Sequence, residues 1–432
     1  MTLDRKRRNR PEPGQTAVVI GAGRSGIAAA RLLSTKGVKT RLLDQKENAV
    51  APEKLKELSA LGVETRLGPH KKDDFRGADF VIPSPGMPIA KANELLEDNP
   101  ARVISEMELA WRYLDNEPVL AVTGTSGKTT TASLAAAMLK AQGYEVFLGG
   151  NIGTPLSEYL LANRKADALV LEISSFQLQG CDTFRPRAGI LLNLSPNHLD
   201  YHKNLEEYAN AKFRLFRCQD EGDLAILGPG LEDLAARYPI KARRLWLSPA
   251  ERFPELKLPG AHNQTNAEAA WQAVKFFGVT LENATRAAEM FRPLPHRLET
   301  VLERDGVTYI NDSKSTTLPS LEAALKAMRG PVRLLCGGKF KGGDPSSLIP
   351  LIREKVVEIG LFGASRDIFE KSWEGTAPIS WSPDLKGATE KLASNSRPGD
   401  SVLLSPATSS YDLYKNYMER GDDFRKIVEN LK

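Results

Sequence analysis

The sequence predicts an α/β protein of three domains in series, each built on a mostly parallel sheet. Three observations carry that expectation. The chain has 432 residues, too many for one ordinary core. Short apolar runs recur along it, and each ends in a loop rich in Gly, Ser or Asp, where open parallel sheets place their ligands. Helical patterns separate the runs, so the strands are expected to join through right-handed crossovers.

The first domain is expected over 15–103, after a basic leader at 1–14, "MTLDRKRRNRPEPG". The leader passes into prolines rather than an apolar segment, so it reads as a solvated, disordered tail and not a secretory signal. "TAVVI" (16–20) reads as a buried strand, Ser25 to Thr35 as a helix, "VKTRLLD" (38–44) and "ADFVIPSPG" (78–86) as further strands. A central domain over 104–297 holds "EPVLAVTGTSGKTT", "ADALVLEIS" (166–174) and "RAGILLNLS" (187–195). The proline-punctuated "FRPLPHRLE" (291–299) reads as a linker. A third domain over 298–432 resumes with "VTYINDSKS", "PVRLLCGGKF", "VVEIGLFG" and "DSVLLSPATSS".

Composition narrows the function classes. Apolar residues make up 41% and charged residues 26%, and no run approaches the ~18 apolar residues of a membrane helix. The formal charge of +5 suits anionic small molecules better than a nucleic-acid groove. Cys181, Cys218 and Cys336 are far apart with no CxxC pair, so neither a disulfide framework nor a zinc site is expected, and a reducing cytoplasm is the default.

Two glycine loops point to phosphate. Gly21-x-Gly23-x-x-Gly26 lies between a strand and a helix, with Asp44 closing the next strand. Its glycines allow a tight turn and close backbone approach to a diphosphate, and NAD and UDP fit that chemistry equally. In "TGTSGKTT" the backbone of Gly124, Thr125, Ser126 and Gly127 can surround phosphate oxygens, Lys128 can reach the β/γ-phosphates and Thr129 can ligate Mg²⁺. Val122 stands where the longer motif has its first glycine.

A third clue is a lysine on an apolar helix face. Projected at 3.6 residues per turn, Leu205, Tyr208, Ala209, Phe213, Leu215 and Phe216 form one arc, with Lys212 in its middle. Either the side chain snorkels to water, or it is held desolvated with a lowered pKa and a nucleophilic amine. Such an amine can capture CO₂ as a carbamate, an oxygen donor suited to Mg²⁺. His198 and Asp200 upstream, and Glu172 at a strand end, are candidates for the same site.

With these residues in view, the chain resembles the Mur ligase family. The resemblance covers nearly everything after the leader. It rests on "GAGRSG", "PSPG", "TGTSGKTT", "GGNIGTP", "LEISSFQL", "NLSPNHLDYH", "YANAKFRLF", "GAHNQTNAEAA", "PHRLE", "INDSKSTT" and "LSPATSSYDLYKNYMERGDDF". It implies a Rossmann-like UDP-binding domain, a central P-loop ATPase-like domain and a C-terminal Rossmann-like domain. The implied reaction is ATP-dependent amide ligation through an acyl phosphate. "ISSFQL" favours the member that adds D-glutamate to UDP-N-acetylmuramoyl-L-alanine in peptidoglycan precursor synthesis.

By the same resemblance, Gly23, Arg24 and Ser25 lie near the diphosphate, and Asp44 and Gln45 near uracil. Ser84, Gly86 and Asn151 complete the nucleotide-sugar cleft. ATP is expected on Gly124 to Thr130, with Thr130 closing the turn, and on Asn263, Asn266, Arg297 and Asp312. Two Mg²⁺ ions are implied, one on Thr129 and Glu172, the other on His198 and a carbamylated Lys212. Lys314, Thr316, Lys341, Ser410 and Tyr417 form the pocket for the incoming amino acid. Lys339 and Thr317 depart from the family's usual residues beside that pocket. The implied partners are small molecules, with no nucleic acid or membrane insertion, acting on a cytoplasmic monomer. Competing readings are a ligase for another amino acid, a silent nucleotide-binding regulator and, more distantly, an NAD oxidoreductase.

Overall fold

A computed structural model of the protein describes residues 10–96, 99–195, 201–248, 250–258, 260–292 and 295–431. The leader call therefore lies mostly outside the described residues, as do His198 and Asp200.

The chain forms three open sheets. The first contains β1 (Thr16–Ile20), β2 (Lys39–Asp44), β3 (Val63–Leu67), β4 (Phe80–Pro83) and β5 (Arg102–Val103), in the order β3-β2-β1-β4-β5. The second contains β6 (Val119–Thr123), β7 (Val146–Gly150), β8 (Ala168–Glu172), β9 (Ala188–Leu191), β10 (Leu224–Leu227) and β11 (Arg243–Trp246), in the order β11-β10-β9-β6-β8-β7. The third contains β12 (Glu299–Arg304), β13 (Val307–Asn311), β14 (Val332–Gly337), β15 (Val356–Phe362), β16 (Ile379–Ser382) and β17 (Ser401–Leu404), in the order β12-β13-β17-β14-β15-β16.

All pairings in the first two sheets are parallel. In the third, β12 runs antiparallel to β13 and the rest are parallel. That strand begins at Glu299, the last residue of the segment expected to be a linker. Its sequence "ETVLER" is charged at both ends, no residue of it is fully buried, and its register shifts between Thr300 and Leu302, as suits an edge strand.

By internal contacts the chain divides into two compact units. One runs to Leu256 and includes Gln264–Met290, so it carries the first two sheets. The other takes Lys257–Asn263 and the chain from Phe291 onward, and carries the third.

Interior strands such as "AVVI", "VLAV" and "ALVL" are buried along their whole length, as strands covered on both faces must be. Helix Arg24–Thr35 buries Gly26, Ala28, Ala29, Leu32 and Leu33. A Cβ at Gly26 would lie 1.8 Å from the Gly21 carbonyl oxygen, so only glycine permits this helix to pack so close to its loop.

One expected arc needs correction. Helix Leu205–Phe213 stops short of Leu215, and Arg214–Phe216 continues as a single 3₁₀ turn. Leu205 is 41% exposed, because it is the first helical residue after the Asn204 cap. Tyr208, Ala209, Lys212 and Phe213 are buried, as the arc predicts.

Candidate nucleotide and amino-acid sites

The phosphate loop sits where β6 meets helix Lys128–Ala141. Gly124 (φ +153°) and Gly127 (φ +83°) take backbone conformations that L side chains rarely adopt. Gly127 caps the helix, so its N-terminal amides face the turn. A Cβ at Gly127 would also fall 2.3 Å from Oδ1 of Asn266, which brings that predicted adenine-side residue over the loop.

The loop's polar groups are partnered from within the protein. Lys128 Nζ donates to the carbonyls of Gly124 and Thr125, each at 3.0 Å. The Thr129 hydroxyl donates to Glu172 Oε2 at 2.6 Å, and Asn151 Nδ2 donates to Oε1 of the same carboxylate at 2.8 Å. Glu172 closes strand β8 and is 2% exposed. A buried carboxylate and a threonine hydroxyl at the mouth of a phosphate loop are hard oxygen donors, the chemistry Mg²⁺ requires.

Lys212 does not snorkel. It is 1% exposed. Its amine donates to Gly124 O at 2.8 Å and to Thr123 Oγ1 at 3.3 Å, and lies 4.6 Å from the centre of the Tyr208 ring. Burial pushes its pKa well below the ordinary lysine value; the Lys128 charge adds to this and the Glu172 charge opposes it. The structure thus brings together the 124–129 turn, Asn151, Glu172 and Lys212.

Sequence reasoning missed Asn193. Its Oδ1 accepts from the amides of both Thr125 (3.1 Å) and Ser126 (2.9 Å), and its Nδ2 donates to Ser126 O at 3.3 Å. Ser195 continues the tie, its amide donating to Thr125 Oγ1 at 3.0 Å. The available signal was position: Asn193 lies just past the end of β9, the neighbour of β6. His202 is buried nearby, with Nε2 2.9 Å from the Ser175 hydroxyl and the ring among Phe176, Tyr201 and Tyr208.

At the first sheet, Asp44 accepts from the Ala22 amide (2.8 Å) and the Lys46 amide (2.9 Å), so it shapes the glycine loop through hydrogen bonds to backbone. Ser84 lies against Gly21, while Gly23 and Gly86 open onto empty space. Ser25 is half-buried and Gln45 exposed. Arg24 reaches across to the Asn151 loop, donating to Gly153 O at 2.6 Å and Glu158 Oε2 at 2.9 Å.

In the second unit, Asp312 follows β13. Its Oδ1 accepts from the Leu298 amide (3.2 Å) and its Oδ2 from the Ser405 hydroxyl (2.9 Å). Burial pushes its pKa up to about 7, against those hydrogen bonds and the charge of Arg297. Lys314 Nζ lies 4.0 Å from the centre of the Tyr417 ring. Ser410 is buried, Thr316 is half-buried and Lys341 is exposed. Lys339 takes part through its backbone, exchanging hydrogen bonds with Ser409 at 2.8 and 3.0 Å, so its unusual side chain leaves that pairing intact. Thr317 pairs its hydroxyl with Ser320 at 2.9 Å at the start of helix Leu318–Ala327.

Comparison with known proteins adds an independent line. Family models for the Mur ligase MurD-like N-terminal domain, the Mur ligase middle domain and the Mur ligase glutamate ligase domain match residues 15–101, 122–243 and 296–408. The chain is 60% identical to the UDP-N-acetylmuramoylalanine–D-glutamate ligase of Desulfovibrio desulfuricans over the full length of both. It is 36% identical to the Geotalea uraniireducens enzyme of the same name, over 96% of this chain and 97% of that one. Among solved structures, MurF ligase from Thermotoga maritima in complex with ADP shares the fold, with a TM-score of 0.59 at 16% identity, covering 98% of this chain and 96% of that one. A pseudomurein peptide ligase type C from Methanothermus fervidus aligns with a TM-score of 0.57 at 18% identity, covering 97% and 100%.

Proposed function

The chain belongs to the Mur ligase family, and on that premise we propose that it joins D-glutamate to UDP-N-acetylmuramoyl-L-alanine, coupled to cleavage of ATP, in peptidoglycan precursor synthesis. The observation that carries the reading is the 60% identity over the whole chain to a ligase of that name. We take the working domains to be 15–103, 104–297 and 298–432, and the enzyme to act as a cytoplasmic monomer.

A carboxylate is a poor electrophile, so the substrate needs activation. One oxygen of the alanine carboxylate attacks the γ-phosphorus of ATP, the bond to ADP breaks, and an acyl phosphate forms. The amine of D-glutamate then attacks the acyl carbon, and the tetrahedral intermediate expels phosphate as the amide forms. Catalysis of such transfers is mainly positioning and charge neutralisation. Lys128 turns from the loop carbonyls to the phosphates, and Asn266 orients the base side of the nucleotide. Asn263, Arg297 and Asp312 are assigned to the same nucleotide, and Gly23, Arg24, Ser25, Asp44, Gln45, Ser84, Gly86 and Asn151 to the nucleotide sugar.

Thr129 and Glu172 would hold one Mg²⁺, with His198 and Lys212 serving a second, and the ions would supply charge neutralisation at the phosphates. Lys212 has the properties a carbamate requires. Its neutral amine attacks CO₂, an N–C bond forms as one C=O π bond opens, and one proton leaves, turning a neutral buried amine into an anion. Lys314, Thr316, Lys341, Ser410 and Tyr417 are assigned to D-glutamate.

Phosphate release from Mg-ATP tests the reading. Release is expected only with both UDP-N-acetylmuramoyl-L-alanine and D-glutamate present. Equal release with L-glutamate or another amino acid would move the specificity, and none with any pair would overturn the reaction.

A further inference from the structure

Arg420 is buried to 0% exposure in helix Tyr417–Glu429, yet it forms no ion pair with a carboxylate among the described residues. A buried guanidinium without a partner is costly and persists only where hydrogen bonds satisfy it. Here the fork is spent on three loops. Nε donates to Ser313 Oγ at 3.0 Å, and Nη2 to Ser313 O at 2.8 Å and Thr408 O at 3.2 Å. Nη1 reaches Gly337 O at 3.4 Å. Ser313 in turn donates to Tyr417 O at 2.8 Å, which closes the network on the arginine's own helix.

Those anchors lie at or just past the ends of β13, β14 and β17, which are neighbours in the third sheet. Each anchor lies close in sequence to the residues assigned to the amino acid: Lys314 and Thr316 after Ser313, Lys341 after Gly337, Ser410 after Thr408, and Tyr417 before Arg420 itself. The packing leaves no slack. A Cβ at Gly338, whose φ is +131°, would lie 3.1 Å from Nη1 and 2.3 Å from Ser409 O. Burial lowers the arginine's pKa to about 10, which leaves it charged at neutral pH.

We propose that Arg420 is the positioning residue of the amino-acid pocket: its guanidinium ties the three strand-end loops into one register. The inference rests on the ligase reading for the identity of the ligand, while the tie between the loops is a property of the fold. Lysine keeps the charge but offers a single point donor, so it cannot satisfy three loops at once.

The test is Arg420→Lys in the full chain, with D-glutamate-dependent phosphate release and amide hydrogen exchange measured together. The KM for D-glutamate is expected to rise about tenfold or more, while the KM values for ATP and the nucleotide sugar stay within about twofold. Exchange is expected to rise at 313–316, 337–341 and 408–410 ahead of the rest of the unit. If Arg420→Lys fails to fold, Arg420→Ala with added methylguanidinium replaces it, and recovery of the D-glutamate KM is the expected result. An unchanged D-glutamate KM in a folded variant would overturn the proposal. So would an equal rise in all three KM values with uniform loss of protection, the mark of a merely structural arginine. Wild type that shows no D-glutamate dependence would sink the reaction instead, and the exchange measurement would still decide the tie between loops.

Discussion

The phosphate loop and the amino-acid end of the third sheet both lie at the C-terminal ends of parallel strands, but they are held by different means. At the phosphate loop the residues expected to do chemistry hold one another: Thr129 and Asn151 share the Glu172 carboxylate, and Lys128 and Lys212 both bond to Gly124 O. At the amino-acid end the expected residues stand on separate strand-end loops, and Arg420 ties those loops together. The phosphate loop is one contiguous turn braced by side chains from neighbouring elements, whereas the amino-acid pocket is assembled from loops far apart in sequence.

That contrast predicts unequal costs. The largest effect is expected at Lys128 and Glu172, where Lys128→Ala or Glu172→Gln should lower kcat by roughly 10³-fold, the scale of losing one electrostatic contact at a reacting centre. Steady-state phosphate release measures it, and a loss under tenfold would remove them from the reaction.

Lys212→Ala should lower activity by about 10²-fold, with partial recovery on adding formate or acetate, whose carboxylate can stand in for the carbamate. Mass spectrometry of intact wild type in bicarbonate buffer offers a second check, a mass increase of about 44 Da. Full activity in the unrescued variant would end the role assigned to the buried amine.

Asn193→Ala breaks the comparison from the other side, since Asn193 shapes the phosphate loop as Arg420 shapes the pocket. Losing two amide partners should raise the KM for ATP about thirtyfold, near 1 kcal/mol per hydrogen bond, and leave the KM for D-glutamate unchanged. A lower KM for ATP would instead mean that Asn193 competes with phosphate for those amides.

The smallest effect concerns pH. Asp312 titrates near 7 in the fold, above the usual carboxylate range, because it is buried. Between roughly pH 4 and 7 the folded state keeps a proton that the unfolded state has lost, so its contribution to stability is full below that window and falls as pH rises through it. Asp312→Asn should flatten that slope in denaturant titrations. An unchanged slope would show that another group sets it.

How much of this was legible follows from where each residue sits. The interior strands "TAVVI", "EPVLAV" and "DSVLL" announce themselves because both faces are covered and each holds an uninterrupted apolar run. The edge strands β3, β5, β7, β11, β12 and β16 went unnoticed: "VETRL" and "RRLW" are broken by charge, as edges that discourage further pairing are, while "VFLGG" and "ISWS" end in or alternate with small residues and show no long apolar run. Interior β10, "LAIL", is too short for periodicity to separate strand from helix. Lys212 was readable because a cation on an apolar arc is anomalous. Asn193 and Arg420 were not, because each is an ordinary polar residue whose partners come together only through sheet topology.

The most direct test of the central claim follows oxygen. UDP-N-acetylmuramoyl-L-alanine carrying ¹⁸O in the alanine carboxylate is turned over with Mg-ATP and D-glutamate, and the released phosphate is weighed by mass spectrometry. An acyl phosphate must hand one carboxylate oxygen to phosphorus, so each phosphate should carry one ¹⁸O. Unlabelled phosphate accompanying amide formation would contradict activation of the carboxylate by phosphoryl transfer.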